Sequence, residues 1–309
     1  AAKSTLADSN TKRDYRIFEE FAYKVIAEAQ RCRIVDIFKL NGNVYAFDST
    51  TGDLCLSTFA WALLRKRKGG IKMNTLYNLE TQIPTFFHIT PARVHDTKAM
   101  DVILYEENSF YIFDRGYNDF KCLHNIESIG AYFVIRGKTN NDFKPMKWKR
   151  RFPPESGIQS DAVGYMVGQL TREKYPDKIR RVIYLDKESK KKFIFFTNAL
   201  TISPVMIAEL SHNRWQIELF FKWIKQHLKI KKFWGTSENA VRIQIYSAII
   251  AYCMMAIVQK KMNIERSIYE MWQIVSISLT DTTTLRDLFA KPNYNIVNEL
   301  DGSTEPSLF

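Results

Sequence analysis

The chain has 309 residues, 46% hydrophobic, 14% aromatic and 25% charged, the make-up of a folded protein with a sizeable core rather than a disordered one. Its 45 Lys and Arg against 33 Asp and Glu leave a formal charge of +12, an excess that attracts polyanions at long range and puts nucleic acid first among partners. A membrane is not expected, because the longest mostly apolar run, Ile245 to Val258, is shorter than the roughly 18 to 20 residues of a spanning helix.

The first thirty residues are charged and have no apolar core segment, so no signal peptide is expected. From Asn10 to Arg33, apolar residues at Tyr15, Phe18, Phe21, Ala22, Val25 and Ile26 recur at helical spacing, which predicts an amphipathic helix capped by Asp8 or Ser9. Strand-like runs follow at Arg33 to Lys39, Asn43 to Phe47, Ile71 to Leu79, Thr85 to Thr90, Phe110 to Phe113 and Tyr132 to Ile135. Helices are predicted near Asp96 to Leu104, with Asp96 as the N-cap, and Asn118 to Ile129. The pattern is mixed α/β.

Between Lys138 and Leu200 prolines and a glycine break up basic strand-like runs, and Ile179 to Leu185 and Phe193 to Thr197 read as a hairpin around a charged turn. After Ser203-Pro204 the chain reads as helix through about Ile230 and again from Glu238 to Met262. The expected organisation is a helical segment over 1–34, a first core part over 35–137, a β-rich insertion over 138–202, a second core part with C-terminal helices over 203–297, and a polar tail over 298–309. Cys32, Cys55, Cys122 and Cys253 form no C-x-x-C pair and have no histidine at zinc-ligand spacing, so neither a disulfide framework nor a zinc site is indicated and a reducing cytosol fits.

The most informative segment is Ser211 to Lys225. At 100° per residue, Ser211, Arg214, Glu218, Lys222, Lys225 and Lys229 share one stripe, beside an apolar stripe of Leu210, Ile217, Phe220, Phe221, Ile224 and Leu228. Taken alone, Glu218 reads as a surface acid paired with cations four residues away. Asp48 and Asp114 end the apolar runs Val44 to Phe47 and Phe110 to Phe113, and each alone reads as a turn cap. Acids at the carboxyl ends of strands also stand where open α/β sheets hold ligands. Three carboxylates without Cys or His suit a hard cation such as Mg²⁺, and two such ions about 3.5–4 Å apart can serve both oxygens of a phosphodiester exchange. The cations beside Glu218, Lys222 among them, would then hold a DNA backbone.

Arg214, Glu218 and Lys225, with Trp215 directly after the arginine, resemble the tyrosine-arginine-glutamate-lysine signature of bacterial insertion-sequence transposases of the DDE class, the IS-four-like family. The Asp48-Ser-Thr and Asp114-Arg-Gly-Tyr segments are similar to that family's first and second aspartate motifs, and the match runs in order from about Lys3 to Lys261. The resemblance implies an α/β, RNase H-like catalytic core interrupted by a β-rich insertion. It implies Asp48, Asp114 and Glu218 as metal ligands for two Mg²⁺, with Mn²⁺ as a substitute, and Arg214 and Lys225 on phosphates. It further implies hydrolysis at transposon ends and strand transfer into target DNA, by a homodimer in a synaptic complex on double-stranded DNA in the bacterial cytoplasm.

Ser211 stands where the signature has tyrosine, which keeps a hydroxyl but not a stacking surface. Members commonly carry an N-terminal DNA-binding region ahead of the segment that begins here, and this chain is expected to lack it. Trp215 reads equally as a half-buried aromatic and as a base-stacking one. Trp148 within Lys147 to Arg151, and the Arg65 to Lys68 run, read as solvated basic segments. Two other readings stay open: a catalytically silent DNA-binding protein derived from a transposase, and an RNase H-like nuclease without strand transfer. The intact triad argues against the first and the helix signature against the second.

Overall fold

The computed structural model describes residues 3–33, 36–54, 63–65, 68–138, 141–148, 152–227, 235–278 and 282–290. The chain divides into two compact units, Ala1–Cys253 and Met254–Phe309. Cys55, Leu228, Lys229, the polar tail and the Trp148 side chain lie outside the described residues, as do the Arg65 to Lys68 side chains.

The opening helical pattern forms two helices, α1 (Lys3–Lys12) and α2 (Arg16–Cys32), not one. The break has a local cause: the Asp14 carboxylate accepts the Arg16 backbone N–H at 3.0 Å, an alternative to the helical ladder. Asp8 and Ser9 therefore lie inside α1 rather than capping it. No strand forms over 36–39, where Lys39 takes a left-handed φ of 51° that an extended strand excludes.

One sheet then organises the first unit: β1 (Val44–Leu54), β2 (Leu63–Arg65), β3 (Lys68–Asn78), β4 (Ile83–Pro91), β5 (Phe110–Phe113), β6 (Tyr132–Arg136), β7 (Phe143–Trp148), β8 (Ile158–Met166), β9 (Ile179–Leu185) and β10 (Lys192–Thr197). Strands β4, β3 and β1 are antiparallel neighbours, and β5 and β6 continue from β1 in parallel. Three antiparallel strands followed by two parallel ones make the core expected of an RNase H-like fold. Strand β10 then pairs with β6, and β9, β8 and β7 follow outward, so residues 138–202 add their strands to the same sheet.

Alternation decides which helix covers which face. Tyr45, Phe47, Tyr111, Phe113, Phe133 and Ile135 point to one face and bury against α3 (Asp96–Met100) and α4 (Phe120–Ser128) through Met100, Leu123 and Ile126. The opposite face meets α6 (Pro204–Asn213) and α7 (Trp215–His227), where Ile217, Phe220, Phe221 and Ile224 are buried and Phe220 packs on Tyr77 and Phe87. Helix α3 stops at Met100, short of the expected Leu104, where the Tyr105 hydroxyl donates to the Met100 carbonyl at 3.0 Å.

A short helix, α5 (Gln169–Lys174), lies between β8 and β9. Helix α8 (Glu238–Lys261) is longer than its apolar run, and by length and composition alone it could cross a membrane. Its buried residues instead include Tyr246, Ile249 and Tyr252, the last meeting the rings of Phe220 and Trp223, as a core helix would. The second unit has a small core of Met255, Met271 and Phe289 around α9 (Ile268–Ile277) and α10 (Leu285–Phe289). A capping box of Ser267 and Glu270 starts α9.

Candidate active site

The register of β1 against β5 pairs Phe47 with Phe113, so the next residues on these parallel neighbours are Asp48 and Asp114. Strand β5 stops there, and the chain turns through Arg115–Tyr117 with the Tyr117 N–H donating to the Asp114 carbonyl at 3.1 Å. Strand β1 continues to Leu54, held along its other edge by β3, with Asp48 opposite Thr75. Asp48 is thus at mid-strand rather than at a strand end; what ends beside it is the parallel ladder. The outcome is still a crevice at the carboxyl end of parallel strands.

Glu218 arrives from α7. The helix expected through about Ile230 is interrupted: α6 ends at Asn213, Arg214 occupies a turn, and α7 begins at Trp215. Arg214 reaches two acids at once, Nη1 to Asp48 Oδ2 and Nη2 to Glu218 Oε1, each at 2.7 Å. Its side chain is 15% exposed, against 21% for Asp48 and 56% for Glu218. Asp114 lies further off, with Oδ1 3.9 Å from Arg136 Nη1.

The electrostatics fit three acids around one cation. Burial raises the Asp48 carboxyl above its ordinary value, Arg214 opposes this, and the negative charges of Asp114 and Glu218 push it further up. Burial works against the charge on Arg214, but Asp48, Glu218 and Asp114 outweigh it and raise the guanidinium's pKa. Asp48 Oδ1 accepts the Ser49 backbone N–H at 2.8 Å and the Tyr117 hydroxyl at 3.5 Å. The buried Tyr117 phenol is itself pushed up, by burial first and then by the Asp48 charge.

The donor set suits a divalent cation: carboxylates only, one of them with its pKa raised by burial and by the charges of the other two. Arg214 now bridges Asp48 and Glu218, and among the described residues no three acids stand close enough to share one ion.

Lys222 and Lys225 are exposed along α7, and neither has an ion-pair partner among the described residues. Trp215 is 44% exposed and lines an open cleft of about 630 Å³ together with Asp114, Arg136, Ser211 and Arg214. Tyr184, Lys187 and Phe193 of the β9–β10 hairpin also line it, with the Arg136 guanidinium over the Phe193 ring at 4.6 Å. Sequence reasoning missed Arg136 and Tyr117. Arg136 follows Ile135, the register partner of Phe113, so it takes the strand-end position beside Asp114; that pairing is the signal it lacked. Tyr117 stood in the quoted Asp114-Arg-Gly-Tyr run, and only the turn after β5 brings its hydroxyl to Asp48.

Residues 40–254 match the family model described as the transposase DDE domain. The chain belongs to that family. A Sinorhizobium fredii relative named as a transposase, y4zB, is 30% identical over 293 residues, covering 94% of this chain and 81% of the relative. A Geobacillus stearothermophilus relative, named as a transposase for insertion sequence element IS5377, is 29% identical over 67% of this chain and 54% of its own length. Another, from Synechocystis and named for element IS4SA, is 28% identical over 82% of this chain and 70% of its own. Among solved structures, a piggyBac transposase synaptic complex with hairpin DNA matches 84% of this chain and 56% of its own at 13% identity and a TM-score of 0.44. This DDE transposase thus comes from a family that acts on DNA, and its family implies divalent metal use.

Proposed function

We propose that this transposase carries out metal-dependent phosphodiester hydrolysis at transposon ends and strand transfer into target DNA, with Asp48, Asp114 and Glu218 as the metal ligands. The observation that carries the reading is the Arg214 guanidinium bridging Asp48 of β1 and Glu218 of α7, with Asp114 just past the neighbouring end of β5 and acting on the same charge. Two Mg²⁺ held by these carboxylates, with Mn²⁺ as a substitute, would supply an activated attacking oxygen and stabilise the leaving one.

The chain's own residues do the remaining work. Asp48 and Asp114 each directly follow the last pair of the parallel β1–β5 ladder, which keeps them neighbours. Glu218 comes from the first turn of α7, so repacking that helix would move it. Arg214 exchanges its carboxylates for a backbone phosphate when DNA binds, since a guanidinium matches both in geometry. Lys222 and Lys225 continue the cationic row along the strand, and Trp215 offers an exposed ring to an unstacked base. The expected partners are double-stranded transposon ends and target DNA, bound by a homodimer in the synaptic complex.

The test is cleavage and joining of DNA bearing the element's own ends, with Mg²⁺ or Mn²⁺. Wild type should cut and transfer, and Glu218→Gln should bind the same DNA without cutting it. Cutting by wild type without joined product would instead make it a nuclease.

A further inference from the structure

The His95-Asp96 pair has a role that capping does not use. His95, not Asp96, is the N-cap of α3, its ring nitrogen accepting the Thr97 N–H at 3.3 Å. That frees the Asp96 carboxylate, whose Oδ1 accepts the Ser49 hydroxyl at 2.9 Å and the Lys72 ammonium at 2.9 Å. Lys72 also donates to the Val94 carbonyl at 2.8 Å.

Lys72 is the unusual member. It lies in β3 between Ile71 and Met73 and is only 9% exposed, a place where an ammonium is costly unless paired. Strand parity explains the direction of the network. Ser49 alternates with Asp48, so its hydroxyl points to the α3 face while Asp48 points toward Arg214. The Ser49 backbone N–H nevertheless holds Asp48 Oδ1, and the Tyr117 hydroxyl reaches the same oxygen at 3.5 Å. Asp48 therefore has one oxygen tied into the protein and one, Oδ2, facing Arg214.

We infer that Lys72 and Asp96 are positioning residues for Asp48, acting through Ser49 to hold its carboxylate with Oδ2 turned toward the cation site. This rests on the metal-ligand reading above. The chain of contacts runs from a buried charge through a carboxylate, a hydroxyl and a backbone amide to a ligand. Partners of that kind, one step behind a metal ligand, orient it and typically account for about 10–100-fold in metal affinity or activity. If the Lys72–Asp96 pair only anchored α3, Ser49 would have no part in metal binding.

The experiment is Mn²⁺ titration of the chain bound to DNA bearing the element's ends, where Arg214 has released the carboxylates, read by the paramagnetic signal of the free ion against the same DNA alone, with thermal unfolding of each variant alongside. Ser49→Ala and Asp96→Ala should each weaken Mn²⁺ binding by about 10-fold or more, and Ser49→Thr, which keeps the hydroxyl, should restore it. Ser49→Ala leaves the backbone and the Lys72–Asp96 pair in place, so it decides the matter if Asp96→Ala unfolds. Mn²⁺ affinity unchanged in folded Ser49→Ala would overturn the inference. Asp48→Asn separates the two claims: if it abolishes Mn²⁺ binding while Ser49→Ala does not, only the positioning role fails; if Asp48→Asn still binds Mn²⁺ as wild type does, the metal-ligand reading fails first.

Discussion

Arg180 and Arg214 each meet an aspartate closely, at 2.8 and 2.7 Å, yet the two pairs are built for opposite purposes. Arg180 and Asp161 are both 1% exposed, joined by two parallel hydrogen bonds, and Nη1 of the arginine also donates to the carbonyls of Ala199 and Ile202. This pair ties β8 and β9 to the segment that leads into α6, and no polar group in it is left for a ligand. Arg214 instead spends one nitrogen on each of two acids that belong to different elements, at the edge of an open cleft. The first pair is a latch; the second, on the proposed mechanism, is a clamp that exchanges its carboxylates for phosphate. Burial and saturation of the hydrogen bonds distinguish them; the residue types do not.

Four expected outcomes test that contrast. The largest is at the latch: Asp161→Ala strands a buried guanidinium and should lower unfolding stability by about 3–5 kcal/mol, read from urea denaturation, with no recovery on adding Mn²⁺. Removing the clamp should behave differently. Arg214→Gln leaves Asp48 beside two like charges and should cost about 1–3 kcal/mol, and Mn²⁺ should return most of that loss because cations replace the missing charge. Loss of similar size at both sites, with neither rescued, would erase the distinction. A third outcome concerns DNA: Lys222→Ala and Lys225→Ala should weaken binding and each lower the salt dependence of log K by about 0.9, with stability within about 0.5 kcal/mol of wild type.

The smallest effect concerns pH. The Asp48 carboxyl is raised above its ordinary 3.8, chiefly by burial, so its proton favours the folded state. That contribution is complete below 3.8 and is lost as pH climbs through the raised value. Metal-free Asp48→Asn, which cannot ionise, should therefore gain on wild type over that window in denaturation midpoint. A wild type that gains on the mutant as pH rises would mean that Arg214 overcomes burial, making the clamp a second latch.

Legibility followed how local each feature is. Strand β5 is an unbroken apolar run ended by Asp114, and Ser203 caps α6 through its own side chain on the Met206 N–H; both signals lie within a few residues. The β9–β10 hairpin was readable for the same reason. Attachment of β10 to β6 joins residues some sixty positions apart, Thr197 to Val134 for example, and nothing in either run names the other. The break at Arg214 was hidden because the hydrophobic period continues across it, and it is the reach to Asp48 that uses it. At the site, the three acids could be singled out because they stand at ends of patterns or in a signature. Arg136, Lys72 and Tyr117 could not, because their positions become meaningful only once strand register and face are known.

The most direct test of the account is cleavage of DNA bearing the element's ends by wild type and by Glu218→Gln in Mg²⁺, with DNA binding measured on the same samples. The account predicts binding within a few-fold of wild type and a loss of cleavage beyond the roughly 10–100-fold that supporting residues produce. Cleavage by Glu218→Gln at the wild-type rate would contradict it.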